Sequence, residues 1–145
     1  MPGISVQPSE GNALEWLVQL DGPATYVPPN SAAERPSPYA GRRFALKVVF
    51  PEQYPFKAPA LTFREGVMYH PIVSQKEGTL CVNVIDSFWG PTKMAADLLT
   101  HIRNVLAHPT AEGAVNMDAS AELNAGNVEA FEKKAREAAA KEPAI

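Results

Sequence analysis

The chain has 145 residues, 46% of them hydrophobic and 20% charged, which suits a single domain over residues 1–145 built around one buried core. Thirteen Lys+Arg against sixteen Asp+Glu give a formal charge of −3 with no basic run, which argues against nucleic acid; no window approaches 18 uncharged apolar residues, which argues against a membrane span. A single cysteine, no Asn-x-Ser/Thr acceptor, and an N-terminus, MPGISVQPSEG, with neither a basic nor an apolar stretch point to a soluble, untargeted protein of a reducing compartment, cytoplasmic or nuclear.

Residues 14–20 place Leu14, Trp16, Val18 and Leu20 on one face of a period-two pattern, which predicts a half-buried strand. Phe44, Leu46, Val48 and Phe50 predict a second, and Leu61 with Phe63 a shorter third. Between the first two lies a proline-rich stretch, residues 24–43, too long for a hairpin turn and read as an insertion loop. The segment Tyr54 to Pro59, YPFKAP, is excluded from helix by its prolines and reads as a rigid loop presenting Phe56.

After Pro91 the period changes. Met94, Leu98, Leu99, Ile102, Val105 and Leu106 share a helical face that stops at His108-Pro109, with His101 on the opposite, polar face; both histidines read as surface residues. A short helix spans Asp118 to Leu123, and Asn127 can cap a last one carrying Val128 and Phe131, whose Ala-rich continuation, residues 135–145, reads as a fraying helical tail. Strands first and helices last give an α+β class: an antiparallel meander of about four strands packed against C-terminal helices.

Chemical motifs are few. There is no glycine-rich phosphate loop, no His-Glu-x-x-His and no Cys-x-x-Cys, so neither a metal nor a cofactor is expected. Cys81 follows a Gly-containing turn and opens an alternation of Leu80, Val82 and Val84, which reads as the start of a strand. On composition alone it is a packed, inert thiol.

Its surroundings point elsewhere. Tyr54-Pro55-Phe56-Lys57-Ala58-Pro59, Tyr69-His70-Pro71, Gly78-Thr79-Leu80-Cys81 and Trp89-Gly90-Pro91, in this order and spacing, resemble the ubiquitin-conjugating enzyme family, and the similarity runs from Gly3 to Phe131. The resemblance implies the UBC fold and an acyltransferase. Cys81 takes the position of the cysteine that accepts the C-terminus of ubiquitin, or of a ubiquitin-like modifier, from an activating enzyme as a thioester and passes it to a lysine or ligase. Thiolate chemistry suits this, being strongly nucleophilic and a good leaving group without metal or phosphate. Phe56, Gly90 and Pro91 match the family's ligase-binding surface. The implied partners are the modifier, an activating enzyme, a ligase and, for some relatives, a second UBC-like chain.

Three positions depart from the family. Ile72 stands where the His-Pro-Asn motif has the asparagine credited with stabilising the oxyanion or ordering its loop; one such donor is worth roughly 10²–10³ in rate. The turn before Cys81 is one residue longer, and His70, Ser74, Gln75 or a backbone amide could support the oxyanion or the loop, as could Asn83, which a strand places on the face of Cys81. Gly113 occupies the place of an acid or serine that positions the incoming lysine, with Glu112 beside it as a candidate carboxylate. The chain starts about where the family's N-terminal helix ends. Two other readings remain: a non-catalytic UBC-like scaffold for ubiquitin or a partner, and a hydrolase pairing Cys81 with His70 as base.

Overall fold

The computed structural model describes residues 3–29, 31–109 and 114–142. In chain order its elements are β1 (Ile4–Ser9), β2 (Asn12–Asp21), β3 (Thr25–Tyr26), β4 (Arg35–Pro36), β5 (Arg43–Val49), β6 (Ala60–Phe63), α1 (Val82–Phe88), α2 (Ala95–Ala107), α3 (Met117–Asn124) and α4 (Val128–Ala139). The main sheet has the order β1-β2-β5-β6, every pair antiparallel.

The register follows from the alternation. Val18 faces Leu46, Leu46 faces Phe63 and Val48 faces Leu61, so the apolar residues of three strands stack on one side. Leu98, Leu99, Ile102 and Leu106 of α2 are fully buried in the same core, each contributing roughly 1.5–3 kcal/mol of transfer free energy. Met94 does not join them: it caps α2, exposed, while its N–H donates to Asp97 Oδ2 at 2.9 Å.

Four strands form the sheet, but the fourth is β1 rather than a strand at Cys81. β1 has little apolar alternation and carries Pro8, tolerable because it is an edge strand.

Residues 24–43 are more than a loop. β3 pairs with β4, and Tyr26 and Tyr39 are buried. Glu132 of α4 accepts hydrogen bonds from Tyr26 Oη and from Arg35 Nε, the latter at 2.7 Å, strapping the segment to the helix. The Arg35 hydrogen bond holds this carboxyl below the usual range against its burial. Tyr39 Oη donates to the carbonyl of Tyr69 at 2.6 Å, tying the segment to the turn that precedes the site.

The C-terminal tail does not fray over its described part. Ala135, Ala138 and Ala139 are buried, since small side chains let the helix approach the core closely. Asn127 stands at the N-cap of α4, but its side chain makes no capping hydrogen bond; Asn116 makes the corresponding one for α3, to the N–H of Ala119.

Candidate functional site

Cys81 closes a short hairpin. Val73 bridges to Leu80, Ser74 N–H donates to the Thr79 carbonyl (2.8 Å) and Cys81 N–H to the Ile72 carbonyl (2.8 Å). The hairpin docks on β6 through Phe63 N–H to the Gly78 carbonyl (2.8 Å) and a Thr62–Thr79 bridge. The expected strand beyond Cys81 is a helix instead: Cys81 is the N-cap residue of α1, whose buried side chain is Ile85. The β-branched residues of VNVIDSF imitate alternation, and tertiary packing overrides that local preference. Cys81 is buried, 7% exposed as a residue.

Ile72 is 1% exposed. Its side chain belongs to the core, while its backbone does the local work: the carbonyl receives the Cys81 N–H and the N–H donates to His70 Nδ1 at 3.2 Å. His70 is fully buried, and burial drives its pKa down to about 3. Its Nε2 faces the main chain of Val105 and Leu106 without a well-formed hydrogen bond. Neither ring nitrogen bonds Cys81, and a neutral, enclosed imidazole with so low a pKa is no general base. That removes the hydrolase pairing.

The proposed substitutes for the missing amide sit on different elements. Asn83 lies exposed on the first turn of α1, and the strand argument that put it on the face of Cys81 no longer applies. Gln75 is at the far tip of the hairpin, where its carbonyl accepts from Gly66 N–H (2.7 Å); at ~3.3 Å per residue it stands three ladder steps, roughly 10 Å, from Cys81. Ser74 Oγ is engaged by Glu77 N–H within the turn at 3.3 Å. Glu112 and Gly113 lie outside the described residues.

The loop YPFKAP leaves Phe56 78% exposed. Trp89 holds the loop from beneath: Nε1–H donates to the Pro55 carbonyl at 2.8 Å and the ring lies against Tyr54. Tyr54 in turn packs edge-on to Phe50 (4.8 Å) and accepts from Ala95 N–H at 3.3 Å. Gly90 is half-buried and Pro91 exposed just beyond Trp89, so the tryptophan that opens the Trp89-Gly90-Pro91 motif, given no role of its own from the sequence, joins the two loops. His101 is likewise not a free surface residue. It stacks on Phe88 of α1 at 4.2 Å, with Lys93 Nζ over the same ring, and burial and the Lys93 charge lower its pKa.

A groove of about 290 Å³ opens between β6 and α1, lined by Leu80 and Val82 but not by Cys81 itself. That these residues meet was not readable from the sequence, because their proximity depends on α1 being a helix. A larger concavity, about 670 Å³, lies on the outer face of the sheet, away from the thiol. Among the described residues no group of three or more His, Cys, Asp or Glu side chains is placed to hold a metal ion.

Comparison with known proteins gives a consistent answer. The model of a family described as ubiquitin-conjugating enzyme matches residues 1–139. The chain is 31% identical over 135 residues, 93% of its own length and 80% of the relative's, to ubiquitin-conjugating enzyme E2 2 of Yarrowia lipolytica. It is 29% identical over 132 residues, covering 91% of the chain and 78% of the relative, to ubiquitin-conjugating enzyme E2 N of Macaca fascicularis. Among solved structures, the E2 domain of a Toxoplasma gondii ubiquitin-conjugating enzyme superposes with a TM-score of 0.79 over 98% of this chain and 90% of that one; at 23% identity this speaks to the fold.

Proposed function

Because the chain belongs to the ubiquitin-conjugating enzyme family, we propose that it accepts the C-terminal carboxyl of ubiquitin or a ubiquitin-like modifier as a thioester on Cys81 and passes it to a lysine or a ligase. The observation that carries this reading is the place of the only cysteine, held by its main chain at the junction of the hairpin and α1, where the Gly78-to-Cys81 motif meets the residue following Tyr69-His70-Pro71. In charging, the Cys81 sulfur attacks the thioester carbonyl carbon presented by the activating enzyme. A new C–S bond forms, the old one breaks, and the proton lost by Cys81 ends on the departing thiol. Phe56 and Pro91, exposed on loops that Trp89 joins, are the surface offered to a ligase.

Charging does not depend on an amide at position 72. Attack by lysine does lose that donor, so discharge to free lysine is slow, by roughly 10²–10³ relative to a site that has one.

The test mixes the chain with ATP, an activating enzyme and candidate modifiers. A mass shift that thiols reverse and that Cys81→Ala abolishes is expected with one modifier. No shift with any of them ends the proposal.

A further inference from the structure

Three arginines meet where β2 ends and β5 begins. Asp21 and Arg43 are partners across the β2–β5 ladder, and Arg43 donates from Nε to Asp21 Oδ1 at 2.8 Å and from Nη1 to Gln19 Oε1 at 3.4 Å. Arg103 of α2, half-buried, reaches the same strand end, its Nε donating to the Asp21 carbonyl at 2.9 Å. A Cβ on Gly3 would stand 3.2 Å from Arg103 Cζ, so a glycine there leaves the guanidinium its place. Arg42 is fixed by its main chain: its N–H donates to the Tyr39 carbonyl at 3.2 Å and its carbonyl accepts from Gly22 N–H at 2.8 Å. Its side chain is exposed and without an ion pair among the described residues.

The three guanidiniums line one concavity of about 380 Å³. Asp21 is the only carboxylate among the described residues of its lining, so two positive charges stand uncompensated in a chain whose formal charge is −3. Gly22 and Gly41 keep part of the wall at the level of the main chain: a Cβ on Gly22 would run into the Tyr39 carbonyl, and Gly41, at φ +77°, has nothing within 4 Å of where a Cβ would be. The one apolar side chain of the lining is the methyl group of Ala24; there is no aromatic ring and no long aliphatic group. Planar guanidiniums offer paired N–H donors that match an oxyanion, and Arg103 uses only Nε on Asp21.

We propose that this concavity binds a phosphoryl group carried on a serine or threonine of a partner protein. The two uncompensated charges equal, with opposite sign, those of a phosphomonoester dianion. At the lower end of small-ligand pockets, ~300–1,000 Å³, the volume has room for the phosphoryl group and the residue that carries it. Without a ring to stack on, the lining does not suit a nucleotide base, and without apolar surface it does not suit a membrane. A single spot of two charges is also too little to track a nucleic-acid backbone. The lining shares no residue with the hairpin of Cys81 or with the loops of Phe56 and Pro91, so this contact is separate from both and is independent of the chemistry at the thiol.

The experiment titrates the full, isotope-labelled chain with a short Gly-Ala-phosphoserine-Ala-Gly peptide blocked at both ends, with its unphosphorylated counterpart and with inorganic phosphate, following amide resonances. Those of Gly22, Gly41 and Arg42 are expected to move, with the phosphopeptide binding at least about tenfold more tightly than the unphosphorylated one. Inorganic phosphate, lacking the carrier's own hydrogen bonds, is expected to bind about two- to tenfold more weakly than the phosphopeptide. Arg42→Gln is expected to weaken the phosphopeptide about three- to tenfold without changing urea unfolding, because its side chain has no ion pair to lose. Lys76→Gln, which removes the same charge from an exposed position on the hairpin, is expected to change it less than about twofold. Equal binding of the two peptides, equal effects of Arg42→Gln and Lys76→Gln, or shifts confined to other residues overturn the site. Inorganic phosphate binding as tightly as the phosphopeptide overturns the protein-borne source.

Discussion

The two ends of α1 are held by different means. The Cys81 end is fixed by main chain: Cys81 N–H on the Ile72 carbonyl, Ser74 N–H on that of Thr79, Phe63 N–H on that of Gly78. The far end is fixed by side chains: Trp89 Nε1–H on the Pro55 carbonyl, Tyr54 against Trp89 and Phe50, Phe88 against His101. A main-chain anchor is indifferent to which side chain it carries, so position 72 can hold an isoleucine without moving the thiol. A side-chain anchor can be lost through one substitution.

The sharpest way to break this contrast is Ile72→Asn. Putting an amide where 1% of the side chain is exposed loses apolar burial and strands polar atoms, a cost of about 3–5 kcal/mol in urea unfolding, while thioester formation by the folded fraction persists. Charging lost in a variant that is still folded would mean the side chain, not the backbone, places the sulfur.

His70 sharpens the same end through pH. Its folded pKa, about 3, lies below the ordinary value of 6.5, so between the two the unfolded chain binds the extra proton. Stability from this group is present above pH 6.5 and falls as pH drops toward 3, by about 1.4 kcal/mol per unit or roughly 3 kcal/mol between pH 7 and pH 4. Unfolding curves at several pH values should show that slope reduced by one proton in His70→Gln; an unchanged slope contradicts the enclosed, neutral imidazole.

At the opposite end the effects are smaller. Trp89→Phe keeps the ring and loses the bond to Pro55, about 1 kcal/mol by thermal or urea unfolding, with the YPFKAP loop loosened as read by hydrogen exchange. Phe56→Ala, at a side chain 78% exposed, changes stability by less than about 0.5 kcal/mol, so any loss of ligase-dependent transfer in that variant reports binding rather than folding.

Much of this was legible in the sequence. Alternation in residues 14–20 and 44–50 located β2 and β5, and the period of 3.6 after Pro91 located α2, because each buries one continuous face. Elements whose stability comes from elsewhere were not legible. β1 is held by its ladder to β2 rather than by apolar side chains. α1 is seven residues long, buries chiefly Ile85, and takes its place from the hairpin and α2. Tyr26 and Tyr39 look like loop residues until Glu132 and the Tyr69 carbonyl, 106 and 30 positions away, supply their partners. Within the site, the motifs marked Cys81 and the exposed Phe56, whereas the groove carrying Asp86 required the helix that the local sequence disguises.

Gly78 sets how the site can vary. It adopts φ +79°, and a Cβ on it would stand 2.1 Å from the Phe63 carbonyl oxygen, so no side chain fits between hairpin and β6. Thr79, Leu80 and Cys81 follow it directly and inherit their register from that contact. The reactive position is thus counted forward from Gly78, and the tip of the hairpin before it can gain or lose a residue without the nucleophile changing place.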